Sequence, residues 1–438
     1  MVQSLARGLD GLMKKYTPDP LIYALFLTFL TLILGLFVNA TSPLDILSSW
    51  GQGFWALTDF TLQMVMILFL GYVLALSSPI KWLLRRLAAW PKNLGQAAVL
   101  ATLVSLVGCF LNWGFGLIIA ALFANELGRK FHGRGFSILL ACSYSGFLVW
   151  HGGLSGSIPL VVSTPGNFNE ASLSGLVPLS DTIFSVLNLS IVGLHFIFLP
   201  SLAYYLMRTS DQFTSLYIED EVEIRHLEQN HTPADRLENS PIISLLVVAM
   251  ALCYLGFELW HDKFRIDLNK INFVLFALSL LFHKTPRKFI FACQQAVAKI
   301  WPILVQYPLY AGIMAIMVKS GLALSISQIF VDWATAKSLP LLVFYSAGLV
   351  NIFIPSGGGQ WAVQGPMVIS AAKALGSDMN AAMMAVAWGD SWTNMIQPFW
   401  ALPLLTIAGL KAKDIMGPLV FVFLLSGLII SLCFILLV

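Results

Sequence analysis

Residues 97–134 read AAVLATLVSLVGCFLNWGFGLIIAALFANELGRKFHGR, an apolar stretch interrupted at Gly108, Asn112, Gly114 and Gly116 and followed by Arg129, Lys130 and Arg134. The loop before it carries Lys81, Arg85, Arg86 and Lys92. Basic residues in short loops beside membrane spans mark the cytoplasmic side, so both ends of this stretch belong on one face. A simple span cannot meet that condition. A re-entrant hairpin can, because it enters and leaves on the same face with irregular backbone at its tip.

The surrounding composition makes lipid the solvent. Of 438 residues, 58% are hydrophobic and 11% charged, against about 25% charged in a soluble domain. Mean hydropathy is +0.81. Apolar stretches fall near 21–39, 60–78, 97–125, 135–165, 183–207, 241–260, 271–283, 300–318, 339–372, 381–410 and 415–437. The first run, Leu21 to Val38, is longer than a signal-peptide core of about 7 to 15 residues and is read as a retained span. A net charge of +3, with basic residues set in short loops, is not a nucleic-acid footprint. Five scattered cysteines without a CxxC support neither a disulfide frame nor a zinc site and are read as packing residues.

Two halves are visible. Asn112 and Asn351 each sit in a glycine-bearing break, and Pro159 and Pro398 each close a second break; both pairs stand 239 residues apart. The same offset carries 60–78 and 97–125 onto apolar segments of the second half, so 339–372 is the second hairpin and 241–260 an unpaired extra span. The charged segment 208–240 is a solvated linker, with room for a short surface helix. Threading nine crossings from a cytoplasmic N-terminus puts 19 of the 25 Lys and Arg inside and leaves the C-terminus outside. The expected fold is an all-α polytopic membrane protein: two inverted repeats, about nine transmembrane helices, two re-entrant hairpins and two broken helices. Its parts are a first repeat (1–207), a cytoplasmic linker (208–240), the extra span (241–260) and a second repeat (261–438).

The four breaks run from Gly108 to Gly116, Trp150 to Pro159, Asn351 to Gln360 and Trp388 to Pro398. Glycine and proline unwind helices, and the freed backbone groups need partners, ions or substrate in lipid. Half-helix N-termini suit a carboxylate, and unwound carbonyls with Asn, Ser and Thr oxygens suit a small cation. With no Lys or Arg at the centre of a predicted span, a small monocarboxylate fits better than a polyanion. The candidate substrate residues are Asn112, Gly114, His151, Ser155, Ser157, Asn351, Ser356, Gly357, Gly358, Gln360, Thr393 and Asn394. Asp390, at the position matching His151, is the candidate coupling residue for Na+ or H+, weighed against a hydrogen-bonded structural carboxylate; no other cofactor is expected. His151 has a bland alternative as a packed imidazole, and the asparagines one as interhelical bonds. Trp113, Trp150, Trp361, Trp388 and Trp392 could shape an acyl pocket or simply pack. Ser356-Gly-Gly-Gly-Gln360 is not a phosphate loop, since no Gly-Lys-Ser/Thr follows.

Leu111-Asn-Trp-Gly-Phe-Gly116, Gly152-Gly-Leu-Ser-Gly-Ser-Ile-Pro159, Thr164-Pro-Gly-Asn167, Ile354-Pro-Ser-Gly-Gly-Gly-Gln-Trp361, Gln364-Gly-Pro366, Asn394-Met-Ile-Gln-Pro-Phe-Trp-Ala-Leu-Pro403 and Pro18-Asp-Pro-Leu-Ile22 together resemble the bacterial short-chain fatty acid transporter family over essentially the whole chain. The resemblance implies uptake of acids such as butyrate or acetoacetate across the bacterial inner membrane and membership of the ion transporter superfamily. It places substrate and ion at the tips around Asn112 and Asn351 and at the unwound stretches around Ser155 and Thr393 to Asn394. A homodimer is implied by analogy alone. The dicarboxylate carriers' Ser-Asn-Thr motif is absent in that form. Two rivals stand beside it: a cation/proton antiporter of the same superfamily, and an intramembrane serine protease suggested by Gly153-Leu-Ser155-Gly156 with His195 as base.

Overall fold

The computed structural model describes residues 20–438 apart from 39–41, 57, 165–166, 168, 174, 210–231, 262–267, 299 and 398. The Pro18-Asp19 part of one motif, most of the linker and Pro398 lie outside the described residues. Those described form an all-helical protein. In chain order the helices are α1 (Pro20–Phe37), α2 (Pro43–Gly53), α3 (Thr58–Ala75), α4 (Ser78–Ala88), α5 (Leu94–Leu111), α6 (Trp113–Lys130), α7 (Phe136–Ser145), α8 (Ser157–Val162), α9 (Glu170–Leu173), α10 (Val186–Thr209) and α11 (Pro233–Glu238). After the linker come α12 (Pro241–Trp260), α13 (Leu268–His283), α14 (Pro286–Val297), α15 (Trp301–Lys319), α16 (Leu322–Val331), α17 (Leu339–Asn351), α18 (Gly357–Leu375), α19 (Met379–Thr393), α20 (Leu402–Ala408) and α21 (Met416–Leu437).

Local chemistry sets many of these boundaries. Proline stands in the first turn of α2, α4, α12, α14 and α17, where its missing N–H costs nothing. Side chains of Ser42, Asn93, Asn112, Ser240, Ser356 and Asp378 accept the first free amides. Among the described residues, five helical stretches are long and apolar enough to cross a membrane, and seven are if two bent pairs each count as one. The bends, 74° between α3 and α4 and 69° between α15 and α16, mark helices that the apolar runs did not reveal. Residues 78–88 are therefore not the loop that the sequence suggests. They form a helix with Leu84 and Ala88 buried and Arg85 and Arg86 exposed. A pattern of period 3.6 over 11 residues is easily overlooked beside runs of twenty apolar ones. Likewise 286–297 is helix α14.

Apart from the short α9, the helix order of 20–209 recurs in 268–437, with α11 and α12 outside the correspondence. Packing runs crosswise: α3 lies on α13 and α14, while α15 lies on α1 and α2. The described part of the linker, α11, has a capping box at Thr232. The Thr232 hydrogen bonds, with the Arg287 pair at 2.9 Å, hold the Asp235 carboxyl below the usual carboxylate range. They tie the linker to α14.

Both suspected hairpins return to their starting end. Glu126 of α6 lies 2.9 Å from Arg129 and 3.8 Å from Arg85 of α4. Lys130 Nζ donates to the carbonyls of Ala88, Ala89 and Pro91 at 2.7–2.9 Å, closing the C-terminal end of α4. The two basic clusters flanking the quoted stretch are thus neighbours in space. At the second hairpin, Ser377 Oγ donates to Ala336 O at 2.6 Å, joining the residue runs before α17 and after α18.

Candidate functional site

The first hairpin turns in one residue. Asn112 is extended, and its Oδ1 accepts the Phe115 amide at 2.9 Å to start α6. The arms touch backbone to backbone: a Cβ on Gly116 would lie 2.3 Å from Cys109 N and 2.5 Å from Gly108 C, a space only glycine fits. The tip docks on the break between α7 and α8. Leu154 N donates to Phe110 O at 2.7 Å and Trp113 N to Ser155 Oγ at 2.9 Å. Gly114 has no polar role here; it lets α6 approach Ile67 of α3.

The second tip is built differently. Five residues, Ile352 to Ser356, separate α17 from α18, and Ser356 Oγ caps α18 through the Gly359 amide at 3.4 Å. Asn351 Nδ2 is a hub: it donates to Asp390 O at 2.9 Å, Thr393 Oγ1 at 2.9 Å and Asn394 Oδ1 at 2.8 Å. Three acceptors around one nitrogen fix the orientation of the amide. Asn394 Nδ2 in turn donates to Asp390 Oδ1 at 3.1 Å. Gln360 Nε2 donates to Ala347 O at 2.8 Å and Gln364 Oε1 at 2.7 Å, tying α18 back to α17. Gly358 faces open space.

The two breaks meet through a pair of ionisable residues. His151 Nδ1 lies 3.7 Å from Asp390 Oδ1, and both side chains are fully buried. His151 Nε2 accepts the Ile158 amide at 3.1 Å, and its ring stacks on Trp150 with centroids 4.1 Å apart. The second tip rests on this ring: a Cβ on Gly357 would lie 2.4 Å from His151 Cε1, 2.9 Å from Nε2 and 3.3 Å from Ser157 Cβ. The structure thus brings His151, Ser157, Asn351, Gly357, Asp390, Thr393 and Asn394 into one cluster, with Asn112 and Ser155 joined to it along the first break. Asn112 Nδ2, His151 Nδ1, Asn351 Oδ1, Gln360 Oε1 and Asp390 Oδ2 are buried atoms with no hydrogen-bond partner. Such atoms cost about 1–3 kcal/mol each when left unsatisfied. Atoms of this kind also occur elsewhere in the molecule, but here five belong to side chains of one cluster and can be met by water or a ligand.

Several residues of the cluster escaped the sequence reading. Tyr144 OH donates to Asn394 O at 2.9 Å, joining α7 to the second break. Asn188 Nδ2 donates to Gly152 O at 2.8 Å, and Asn188 Oδ1 accepts Trp388 Nε1 at 3.0 Å, so α10 bridges both breaks. A lone asparagine inside the apolar run 183–207 was the available signal. Three of the tryptophans considered for an acyl pocket are packed against other aromatic rings. Trp113 and Trp150 pack with Phe147 and Trp400, and Trp392 stacks on Phe423. A narrow cleft lies instead beside the second tip, lined by Tyr307, Tyr310, Met314, Ile354, Pro355, Ser356 and Phe399. Its free room is about that of one water molecule. Gln397 Nε2 donates to Tyr310 OH at 3.4 Å at its edge. No hydrogen bond joins Ser155 to His195. Ser155 accepts the Trp113 amide, while His195 Nδ1 bonds to Ile191 O and its ring stacks on Trp388.

Comparison with known proteins finds relatives along the whole chain. The family model described as short chain fatty acid transporter matches residues 1–437. A protein of Escherichia coli (strain K12), provisionally named a short-chain fatty acid transporter, is 40% identical over 433 residues, covering 98% of each chain. A Haemophilus influenzae protein with the same provisional name is 38% identical over 427 residues, covering 95% of this chain and 96% of that one. Among solved structures, the YdaH transporter of Alcanivorax borkumensis matches 96% of this chain and 97% of that one at 17% identity, with a TM-score of 0.46. That likeness is too distant to carry an argument.

Proposed function

The chain belongs to the short-chain fatty acid transporter family, and on that premise we propose that it carries butyrate- or acetoacetate-like monocarboxylates across the bacterial inner membrane, coupled to a cation. The observation that carries the coupling is the charge of the buried shell. Asp390 is fully buried with one oxygen unpartnered, and no Lys or Arg is among the buried residues described. A substrate carboxylate entering such a shell finds no fixed countercharge, and an unneutralised carboxylate in an apolar interior costs several kcal/mol. A proton or Na+ travelling with the acid supplies that charge, and Asp390 is where it acts.

The acid enters with its carboxylate toward Ser356, Gly357 and Gly358, at the positive end of the 19-residue helix α18. Its alkyl chain takes the cleft among Tyr307, Tyr310, Met314 and Phe399, which holds about one water in this conformation and has to widen to admit the chain. The two halves are inverted repeats. The first hairpin opens from the cytoplasm, where both of its basic ends lie, and the second from the periplasm, with the N-terminus cytoplasmic and the C-terminus periplasmic. Alternating access follows if one tip opens while the other stays docked.

The test is initial uptake of labelled two- to six-carbon acids by purified protein in liposomes, corrected for protein-free vesicles, with sodium, proton and voltage gradients set independently. Four-carbon acids should be taken up at least about tenfold above background, and Asp390→Asn should abolish gradient-driven accumulation. Uptake that ignores every gradient would remove the coupled mechanism, and cation exchange without acid transport would favour the antiporter.

A further inference from the structure

Resting on the transport reading above, we propose that the coupled cation is a proton, carried by the His151–Asp390 pair, and that its arrival on His151 unlatches the second hairpin. The pair joins the two halves: the residues stand 239 positions apart, one at the first break and one at the second. Their geometry holds a proton better than a metal ion. The oxygens that could ligate Na+ at the second break, Asp390 O, Thr393 Oγ1 and Asn394 Oδ1, already converge on the amide nitrogen of Asn351 at 2.8–2.9 Å. A donor group occupies the centre of that cage.

His151 is in a defined state. Because Nε2 accepts the Ile158 amide, Nε2 carries no proton, and the neutral ring holds its hydrogen on Nδ1, facing Asp390. The 3.7 Å separation is too long for a hydrogen bond but closes with a small ring rotation. A proton taken from the aqueous phase onto Nε2 makes imidazolium and sets Nε2–H against the Ile158 N–H. Donor then faces donor. The bond is lost, and the first turn of α8 loses its acceptor. The imidazolium is drawn toward Asp390, now as an ion pair, and the ring face that seats Gly357 moves with it. No covalent step is involved: one proton is gained, one hydrogen bond breaks, and one charge-assisted bond forms.

Other titratable side chains on the helices packed against this stretch are Cys109 on α5, Glu126, Arg129 and Lys130 on α6, Cys142 and Tyr144 on α7, and His195, Tyr204, Tyr205 and Arg208 on α10. The charges of α6 are engaged with one another and with α4 at the end away from the tip, and Tyr204, Tyr205 and Arg208 are exposed near the end of α10. Tyr144 is committed to Asn394 O, and His195 stacks on Trp388 rather than on the pair.

The test combines transport with hydrogen–deuterium exchange on the full-length protein. In liposomes, an inward gradient of one pH unit should accumulate acetoacetate about tenfold at equal sodium on both sides. His151→Gln keeps an acceptor near the Nε2 position for Ile158 but cannot take up the proton. It should lower that ratio to about one. In parallel, exchange over 354–362 should rise severalfold between pH 8 and pH 6 in the wild type and stay flat in His151→Gln, whereas His195→Gln should keep the pH response. Sodium-driven accumulation at equal pH, or a pH response intact in His151→Gln, would overturn the proposal. If no acid is transported at all, the transport reading fails, and the exchange data still decide the latch.

Discussion

The two hairpins occupy matching places in the chain, yet they are held by different means. The first turns over a single residue, packs arm on arm through Gly108 and Gly116, and docks by backbone to Phe110 and by the Trp113 amide to Ser155. The second turns over five residues, is held by the side chain of Asn351, rests Gly357 on the His151 ring, and has a cleft at its flank. Backbone contact between glycines has no alternative rotamer and resists movement. Side-chain bonds onto titratable and amide groups can be exchanged. Within itself the first hairpin is therefore a rigid wall whose arms stay together, and the second tip is the one whose own contacts can be exchanged. Equal topology need not mean equal mobility.

That contrast can be broken most forcefully at the wall. Gly116→Ala places a methyl group 2.3 Å from Cys109 N and should destabilise the protein by about 3 kcal/mol or more, with loss of folded protein in detergent seen by thermal unfolding. A folded, active Gly116→Ala protein would mean that the arms can part and the wall is not fixed.

A smaller effect is expected at the hub. Asn351→Leu removes the donor shared by Asp390 O, Thr393 Oγ1 and Asn394 Oδ1, leaving buried acceptors that cost about 1–3 kcal/mol each. Uptake should fall at least about tenfold, while the unfolding midpoint drops less than in Gly116→Ala. Equal losses of stability in the two variants would erase the distinction between the tips.

The mildest change concerns the cleft. Tyr310→Ala should leave four-carbon acids transported and shift preference toward six-carbon acids by about tenfold, since a methylene in an apolar pocket is worth about 1–3 kcal/mol. An unchanged chain-length profile would move the alkyl chain elsewhere.

Some of this was legible from local signals. Apolar runs located α3, α10, α12, α13, α15 and α21 closely because crossing lipid demands unbroken length. Asn112 and Asn351 were found because a polar residue among glycines is costly in an apolar run. Helices α2, α4, α14 and α16 were not found. They are short, and α4 and α16 follow sharp bends, so hydropathy over a long window says little about them. Asn188 and Tyr144 were missed because one polar atom in an apolar helix has meaning only once its partner is known.

The sequence by itself determined that the chain lives in lipid, where its helices break, and that each hairpin begins and ends on one side, since hydropathy, glycine and basic residues act locally. Only the tertiary structure decided that His151 meets Asp390, that Asn351 holds three oxygens of the second break, and that one tip is sealed by backbone while the other rests on an imidazole. Those contacts join residues up to 239 positions apart, and no local pattern carries the distance between them.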